Sequence, residues 1–204
     1  MAKKLNPAQL LPWLPDYCPE LYYDPFTADQ QRAVRVFERC ILERDTDPGP
    51  HILYMERNTG ATSLAVCGSL WAALEEQADF VVMIAESNHA ADHLYELAHT
   101  LVSFRKPLTD RYPFVLPTLV TKKGPRRLDF GGKRLLFTGI RSPLRGLNRG
   151  GKRPDLVVVD SPFSVAARKS VSQTAAIERI LHGVLPALGG PARTIPVVIL
   201  DGVD

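Results

Sequence analysis

Apolar residues recur along this chain with two spacings, one typical of helices and one typical of buried strands. Thr27 and Gln30 stand at the spacing of a capping box, and the apolar residues behind them fall at helical intervals, so the pattern predicts a helix over residues 27–44. Residues 51–55 and Phe80–Ala85 form short continuous apolar runs, which predict buried strands. A helical pattern follows each of these runs.

The alternation of strands and helices continues to the end of the chain. Further helices are predicted over residues 63–77, from Ser87 or Asn88 onward and over residues 172–184, and further strands over residues 134–138, Leu156–Asp160 and residues 196–200. Strands that alternate with helices are typical of a mainly parallel sheet flanked by helices. The predicted fold class is therefore α/β.

The first part of the chain has a different character. Residues 1–25 contain five prolines together with Trp13, Tyr17, Tyr22 and Tyr23. Proline is disfavoured inside helices, so we expect an extended arm that packs through its aromatic side chains. The arm could bind a partner or lie as a strap across its own domain. Residues 26–204 are then the predicted α/β domain.

Composition narrows the class of protein. The chain has 204 residues, of which 45% are hydrophobic and 23% charged, which excludes a disordered, collagen-like or disulfide-scaffold protein. No apolar run approaches the roughly 18 residues of a membrane span, and no secretory signal is visible at the start, so we expect a cytoplasmic protein. Cys18, Cys40 and Cys67 are isolated from one another and from histidines, which indicates ordinary thiols in a reducing compartment rather than a zinc site.

Positive charge is concentrated in one segment. Residues 122–153 carry eleven basic side chains and one acid, Asp129, so a local balance of +10 within a net charge of +3 leaves −7 for the remainder. Such a bias indicates binding of phosphate, in a nucleotide or in nucleic acid. A solvated surface ribbon is the alternative. The glycines and the lack of helical periodicity place this segment on strands and loops.

The loop after residues 51–55 is a candidate phosphate site. A strand, a short loop and a helix N-terminus present backbone N–H groups to a phosphate, and Thr62 stands where a hydroxyl would ligate Mg²⁺. Ala61, however, occupies the position of the lysine in the Walker A pattern. An ordinary strand-to-helix turn is the alternative.

A second candidate position closes the strand Leu156–Asp160. Four apolar residues followed by an acid have the form of a Walker B strand, whose aspartate holds the metal ion. A buried strand that ends in a helix-capping aspartate has the same appearance. The next residue, where a water-activating acid is usual in hydrolysing P-loop enzymes, is Ser161, which is a poor base at neutral pH.

Several segments together resemble a known family. They are Thr27-xx-Gln30, Arg57-Asn58-Thr59-Gly60-Ala61-Thr62, residues 80–91, Gly139-Ile140-Arg141-Ser142-Pro143-Leu144-Arg145-Gly146 and Arg153-Pro154-Asp155-Leu156-Val157-Val158-Val159-Asp160. In this combination they resemble the N-terminal ATPase domain of phage terminase large subunits, the motors that drive double-stranded DNA into a procapsid. The likeness covers most of residues 26–200. It implies a P-loop NTPase-like fold of the ASCE type, with the family's C-terminal nuclease domain expected to be absent from this chain.

The resemblance also implies roles for individual residues. Arg57 matches the arginine that opens the phosphate loop, Arg145 matches the arginine of an "RG" segment, and Gln30 or Gln31 matches an adenine-reading residue. Asp160, with Arg57, is expected to be catalytic. ATP would lie on Arg57, Asn58, Thr59, Gly60, Ala61, Thr62 and Gln30, and Mg²⁺ on Thr62 and Asp160. DNA is expected on the basic segment, at Lys122, Lys123, Arg126, Arg127, Lys133, Arg134, Arg145 and Arg149.

Three positions depart from the family pattern. Ala61 replaces the lysine, Ser161 replaces the catalytic acid, and Asp201 stands where a coupling threonine is usual. The lysine and the acid each supply a few kcal/mol of transition-state stabilisation. Without them, the rate of ATP hydrolysis is expected to be lower by several orders of magnitude. We therefore predict a terminase-like domain with weak or no ATP hydrolysis. An active motor with variant motifs and a non-catalytic DNA-binding module are the alternatives.

The resemblance implies the setting as well. Expected partners are double-stranded DNA, the portal or procapsid, a small terminase subunit, a nuclease domain or subunit and further copies of the chain in a ring. The expected location is the cytoplasm of the host cell.

Overall fold

The sheet at the centre of this chain has six strands. The computed structural model describes residues 7–44, 49–56, 58–115, 126–191 and 193–203. The helices are α1 (Leu10–Tyr17), α2 (Ala28–Leu42), α3 (Ala61–Leu74), α4 (Asn88–Phe104), α5 (Lys106–Arg111), α6 (Val165–Arg168) and α7 (Val171–Arg179). The strands are β1 (His51–Glu56), β2 (Phe80–Ala85), β3 (Arg126–Phe130), β4 (Lys133–Gly139), β5 (Leu156–Asp160) and β6 (Val197–Val203).

The strand order is β1-β6-β5-β2-β4-β3. All neighbouring strands are parallel except β3 and β4, which form an antiparallel hairpin at one edge. Because β1, β6, β5, β2 and β4 run in the same direction, their carboxyl ends meet at one edge of the sheet, which we call the carboxyl edge. The last strand, β6, lies between β1 and β5.

The central strands β2 and β5 are fully buried because helices cover both faces, whereas Ile52 and Tyr54 of the edge strand β1 are exposed. Side chains alternate between two cores: Val158 of β5 and Leu200 of β6 face the first core, and Val159 and Ile199 face the second. The first core packs against α1 to α4, where α3 is buried on every side from Leu64 to Leu74. The second core packs against α6 and α7. This arrangement confirms the predicted α/β class with a mainly parallel sheet flanked by helices.

Most predicted elements are present. The capping box of α2 has both of its hydrogen bonds, at Thr27 and Gln30, and Ser87 caps α4 through a bond from the Ala90 N–H. The strands β2 and β5 have the predicted bounds. Helix α7 is shorter than predicted, since the backbone changes at Ile180–Val184 to a turn of π-helix. The strand β3 and the helices α5 and α6 were not predicted from the sequence.

The prediction of an extended N-terminal arm is wrong over Leu10–Tyr17, which is helical. Pro12 lies in the first turn of α1, where a missing N–H is tolerated, and the helix is only eight residues long, so Pro15 interrupts little. Leu10, Trp13 and Leu14 are buried in the first core. The arm was predicted either to bind a partner or to lie as a strap across its own domain. Its described part forms such a strap.

Side-chain hydrogen bonds fix this strap to the domain. The indole of Trp13 donates to the Tyr112 hydroxyl at 2.9 Å, and the indole of Trp71 in α3 donates to the Ala8 carbonyl at 2.7 Å. Tyr112 in turn donates to the Glu75 carboxylate, which also accepts from the Ala8 N–H at 2.9 Å.

Over the described residues, no helix is long and apolar enough to cross a membrane.

Candidate active site

The loop between β1 and α3 presents a helix N-terminus at the carboxyl edge. Asn58 and Gly60 have positive φ angles of 62° and 92°, and Gly60 is the N-cap of α3 without any side-chain cap. The first N–H groups of a helix have no intrahelical partners and carry partial positive charge, which favours an anion. The predicted strand, loop and helix therefore have the geometry of an anion cradle. Ala61, at the lysine position, instead packs against the first core.

Gln30 connects α2 to this loop. Its side-chain carbonyl accepts from the Thr27 N–H at 2.9 Å, and its amide nitrogen donates to the Thr59 carbonyl at 2.9 Å. The loop is closed by Thr59, whose hydroxyl donates to the Glu56 carbonyl at 2.6 Å. One end of the Gln30 amide thus completes the capping box of α2, and the other end holds the loop. Adenine reading by Gln30 or Gln31 stays a prediction.

A cleft of about 360 Å³ opens beside the loop. The loop residues Asn58, Thr59 and Gly60 line one side, and Tyr22 and Phe26 from the chain before α2 line another. Clefts of roughly 300 to 1,000 Å³ with apolar walls and a few polar groups are typical ligand sites. The cleft is therefore large enough for part of a nucleotide.

Thr62 and Asp160 meet at the centre of the carboxyl edge. The hydroxyl of Thr62, in the first turn of α3, donates to Oδ2 of Asp160 at 3.0 Å, although the two residues are 98 positions apart in the chain. Asp160 is the last residue of β5, and its carboxylate faces α3. The structure thus brings together the two residues that the sequence analysis assigned to Mg²⁺.

The Asp160 carboxylate is only partly satisfied. Oδ1 is buried and has no hydrogen-bond partner among the described residues. Burial raises the pKa of Asp160 to about 6; the hydrogen bond from Thr62 opposes this rise, and the nearby Asp201 carboxylate adds to it. A buried carboxylate oxygen without a partner costs free energy unless a cation or donor reaches it.

These features fit a divalent cation at this position. A carboxylate and a threonine hydroxyl are oxygen ligands of the kind that Mg²⁺ prefers, and Mg²⁺ keeps several waters besides one or two protein ligands. Oδ1 of Asp160, which has no hydrogen-bond partner among the described residues, would be the first protein ligand of the ion. The hydroxyl of Thr62 would be the second. A bound Mg²⁺ would neutralise charge on the phosphates of a nucleotide.

Ser161 directly follows the last residue of β5. Its N–H donates to the Leu200 carbonyl of β6 at 2.8 Å, and its φ of 45° places it in the left-handed region. Asp201, the next residue of β6, is buried, and its Oδ1 accepts from the guanidinium of Arg168 in α6 at 2.6 Å. The sequence analysis named Asp201 but missed Arg168, because no local motif connects a residue of α6 to the last strand.

The end of β4 is held against the start of α4. Oδ1 of Asn88 accepts from the Gly139 N–H at 2.8 Å and from the Ser142 hydroxyl at 2.9 Å. A Cβ atom on Gly139 would lie 2.6 Å from the Asn88 nitrogen, so only glycine allows this approach. The segment that follows carries Arg141, which donates to Gln173 at 2.8 Å, and Arg145, which is exposed.

The predicted DNA-binding residues that the structure describes lie at two opposite edges of the sheet. Lys133 and Arg134 begin β4 and therefore lie at the amino edge of the sheet, opposite the Thr62–Asp160 pair. Arg145 follows the carboxyl end of β4 instead. Arg149 donates to the Gly132 carbonyl in the β3–β4 turn, so the loop that carries both arginines runs from one edge towards the other. The basic segment is therefore not one continuous patch beside the site.

Three acids, of which Asp79 and Asp92 lie outside the basic segment and Asp129 within it, neutralise part of its charge. Lys133 pairs with Asp79 at 2.6 Å, Arg126 with Asp92 at 3.0 Å and Arg134 with Asp129 at 2.7 Å, while Arg127 lies 3.5 Å from Asp129. The side chains of Lys133 and Arg134 are only 13% and 17% exposed. The ammonium group of Lys133 is the main reason that the pKa of Asp79 falls to about 2. Arg57, Lys122 and Lys123 lie outside the described residues.

Two solved structures have a similar fold. The HK97 bacteriophage large terminase is 18% identical, with a TM-score of 0.57 over 95% of this chain and 37% of that chain. A variant of the Thermus phage P74-26 large terminase ATPase domain is 16% identical, with a TM-score of 0.51 over 97% of this chain and 70% of that one. No protein-family model matches the chain, and no curated protein matches it. The chain thus has the fold of a phage large-terminase ATPase domain, which the sequence resemblance predicted, and spans just over a third of the HK97 protein.

Proposed function

We propose that this chain is a nucleotide-binding domain of the large-terminase type that acts in the packaging of viral double-stranded DNA. The observation that carries the proposal is the hydrogen bond between Thr62 and Asp160, beside an uncapped helix N-terminus and an unpartnered oxygen of Asp160. Helix amides would hold the phosphates of ATP, and Thr62 and Asp160 would hold Mg²⁺. The portal or procapsid, a small terminase subunit, a nuclease and further copies of the chain are the partners that this function implies.

We further propose that ATP hydrolysis by this site is slow. Ala61 brings no charge to the β- and γ-phosphates, and Ser161 is a poor base. ATP turnover by the purified chain with double-stranded DNA, followed by phosphate release, tests this directly. We expect turnover well below about 1 per second, the lower end of the range for typical enzymes. Faster turnover in the presence of DNA would favour an active motor with variant motifs.

The basic segment gives a separate prediction about DNA. Arg145 is exposed, and no described residue pairs with it, so it is free to contact a phosphate. Replacement of Arg145 with glutamine should weaken binding to duplexes of any sequence and reduce the slope of log K against log salt by about one. The slope is measured by fluorescence anisotropy over a salt series.

Lys133→Gln is the matched control for this experiment. Lys133 also lies in the basic segment, but it is largely buried against Asp79. Its replacement should lower the stability of the protein and leave the salt slope unchanged. If Lys133→Gln reduces the slope and Arg145→Gln does not, the DNA contact lies at the amino edge of the sheet.

A further inference from the structure

The outer edge of β1 is open. β1 lies at one end of the strand order and pairs only with β6, so no strand among the described residues lies on its other side. In an edge strand, a row of backbone N–H and C=O groups points away from the sheet without a partner from the ladder. β1 therefore offers main-chain hydrogen bonds to a further strand.

A cleft of about 420 Å³ lies between this edge and α2. Five consecutive positions of β1, residues 52–56, line it. Because successive side chains of a strand point to opposite faces, a cleft that borders consecutive residues borders the backbone edge rather than one face. Ala33 and Val36 of α2 form part of the opposite wall. An extended chain that pairs with the strand edge fits a cleft of this kind.

The side chains of β1 show what such a strand would contact. Leu53 and Met55 are buried in the first core, below α2, whereas Ile52 and Tyr54 point to the opposite face and are 42% and 65% exposed. The alternate side chains of an added strand would lie on the same two faces, next to those of β1. Those beside Ile52 and Tyr54 would contact apolar groups, and the others would lie on the side of α2.

A row of exposed arginines follows the groove on α2. It consists of Arg32, Arg35 and Arg39, which are three and four positions apart and therefore share one side of the helix. Arg32 and Val36 line the cleft beside β1 and also line a second cleft with Arg35 and Arg39, so the arginine row borders the groove. Arg32 lies 3.2 Å from the exposed Asp29, whereas no described residue pairs with Arg35 or Arg39.

The positive charge of the arginine row selects the occupant. If β1 paired with β1 of a second copy about a two-fold axis, both α2 helices would lie on the same face of the joint sheet, with one arginine row near the other. Like charges repel, so this pairing is disfavoured. Acidic side chains of another protein would be attracted instead. A DNA duplex also carries negative charge, but it brings neither peptide groups for the β1 edge nor apolar side chains for Ile52 and Tyr54.

We propose that the edge of β1 and the arginine row bind an extended acidic segment of a partner protein, which joins the sheet as a further strand. The segment alternates apolar and acidic residues. Its apolar side chains lie beside Ile52 and Tyr54, and its acidic side chains lie on the side of α2, near the arginine row. Neither Thr62 nor Asp160 lines this cleft, so the inference is independent of the proposed nucleotide site.

The probe is a fluorescein-labelled peptide of nine residues that alternates valine and glutamate, and fluorescence anisotropy without nucleotide measures its binding. We expect saturable binding to the wild-type chain. Arg35→Gln with Arg39→Gln should weaken it about 3- to 10-fold, the effect of two exposed ion pairs. Tyr54→Glu should weaken it at least about 10-fold, because an acid then lies beside a valine of the peptide. The control variant, Lys169→Gln with Arg179→Gln, removes two exposed charges from α6 and α7 and should change the affinity by less than about twofold.

Two further peptides test the mode of binding. Lysine in place of glutamate reverses the charge, and proline at the central position removes an N–H and disfavours pairing in a ladder, so both should bind at least about 10-fold more weakly. Absence of saturable binding at about 1 mM peptide, or equal binding of the proline peptide, would overturn the inference. A dimer in analytical ultracentrifugation that Tyr54→Glu abolishes would also overturn it, since the edge would then belong to a second copy. A larger loss of duplex DNA binding than of peptide binding in Arg35→Gln with Arg39→Gln would assign the arginine row to DNA instead.

Discussion

Replacement of Asp160 with asparagine is expected to remove the Mg²⁺-dependent part of nucleotide binding and, at the same time, to stabilise the ligand-free protein at neutral pH. The first effect follows because Asp160 is the charged ligand of the proposed Mg²⁺ site, and an amide is a weak ligand for Mg²⁺. We expect the affinity for an ATP analogue with Mg²⁺ to fall at least about 10-fold, to the level measured in EDTA.

The second effect follows from the pKa of Asp160. The carboxyl has a pKa of about 6 in the folded protein, against 3.8 for the unperturbed group. The folded chain therefore holds the proton more tightly than the unfolded chain, and the charged carboxylate lowers stability as pH rises from about 4 through about 6. Above that range the penalty is complete, about 1 to 3 kcal/mol for a shift of this size. Asp160→Asn removes it, so the variant should gain stability at pH 8 and little at pH 4.

Urea unfolding at both pH values and calorimetry with and without Mg²⁺ measure these effects. Asp155→Asn is a suitable control, since its carboxylate is half-buried at the amino edge and accepts from the N–H groups of Asp79 and Phe80 at 2.8 Å and 3.0 Å. The control should lose stability and keep its nucleotide affinity. An Asp160→Asn protein that binds the analogue with Mg²⁺ as tightly as the wild type would show that the ion is held elsewhere.

Replacement of Trp13 with alanine is expected to destabilise the whole domain by about 3 to 5 kcal/mol, the usual cost of removing a buried aromatic side chain. Trp13 is 1% exposed, packs in the same core as α3 and donates to Tyr112. For a chain of this size the melting temperature should fall by about 6 to 20 °C. Equilibrium unfolding in urea, followed by circular dichroism, measures the loss.

Two further variants separate the contributions at this position. Trp13→Phe keeps most of the buried area but loses the indole N–H, so it should cost clearly less than Trp13→Ala. Tyr23, also in the N-terminal region, is 80% exposed, and Tyr23→Ala should change stability by less than about 0.5 kcal/mol. A loss below about 1 kcal/mol in Trp13→Ala would mean that the strap contributes little to the core.

The central strands β2 and β5 could be predicted from sequence because they are buried on both faces of the sheet. Phe80–Ala85 and Leu156–Asp160 are continuous apolar runs bounded by polar residues, and no other element fits such a short run so well. The pair Thr62 and Asp160 could be predicted for a related reason, since the carboxyl ends of parallel strands share one edge. The N-terminal helix could not, because burial of Trp13 and Leu14 outweighs the local preference of the prolines.

The distribution of charge along the chain was a poorer guide to the structure than the pattern of apolar residues. The acids that neutralise Lys133 and Arg126 are Asp79 and Asp92, more than thirty positions away in sequence, so a count of the basic segment alone overstates its field. The pairing of Arg168 with Asp201 is hidden in the same way. Contacts of this kind depend on the order of strands in the sheet, which periodicity does not specify.

Titration of the wild-type chain with a non-hydrolysable ATP analogue, in Mg²⁺ and in EDTA, tests most directly whether Thr62 and Asp160 form a Mg²⁺–nucleotide site. We expect binding that is at least about 10-fold tighter with Mg²⁺, and loss of this difference in Thr62→Val. Absence of binding at millimolar analogue, or a Mg²⁺ effect that survives in Thr62→Val, would contradict this expectation.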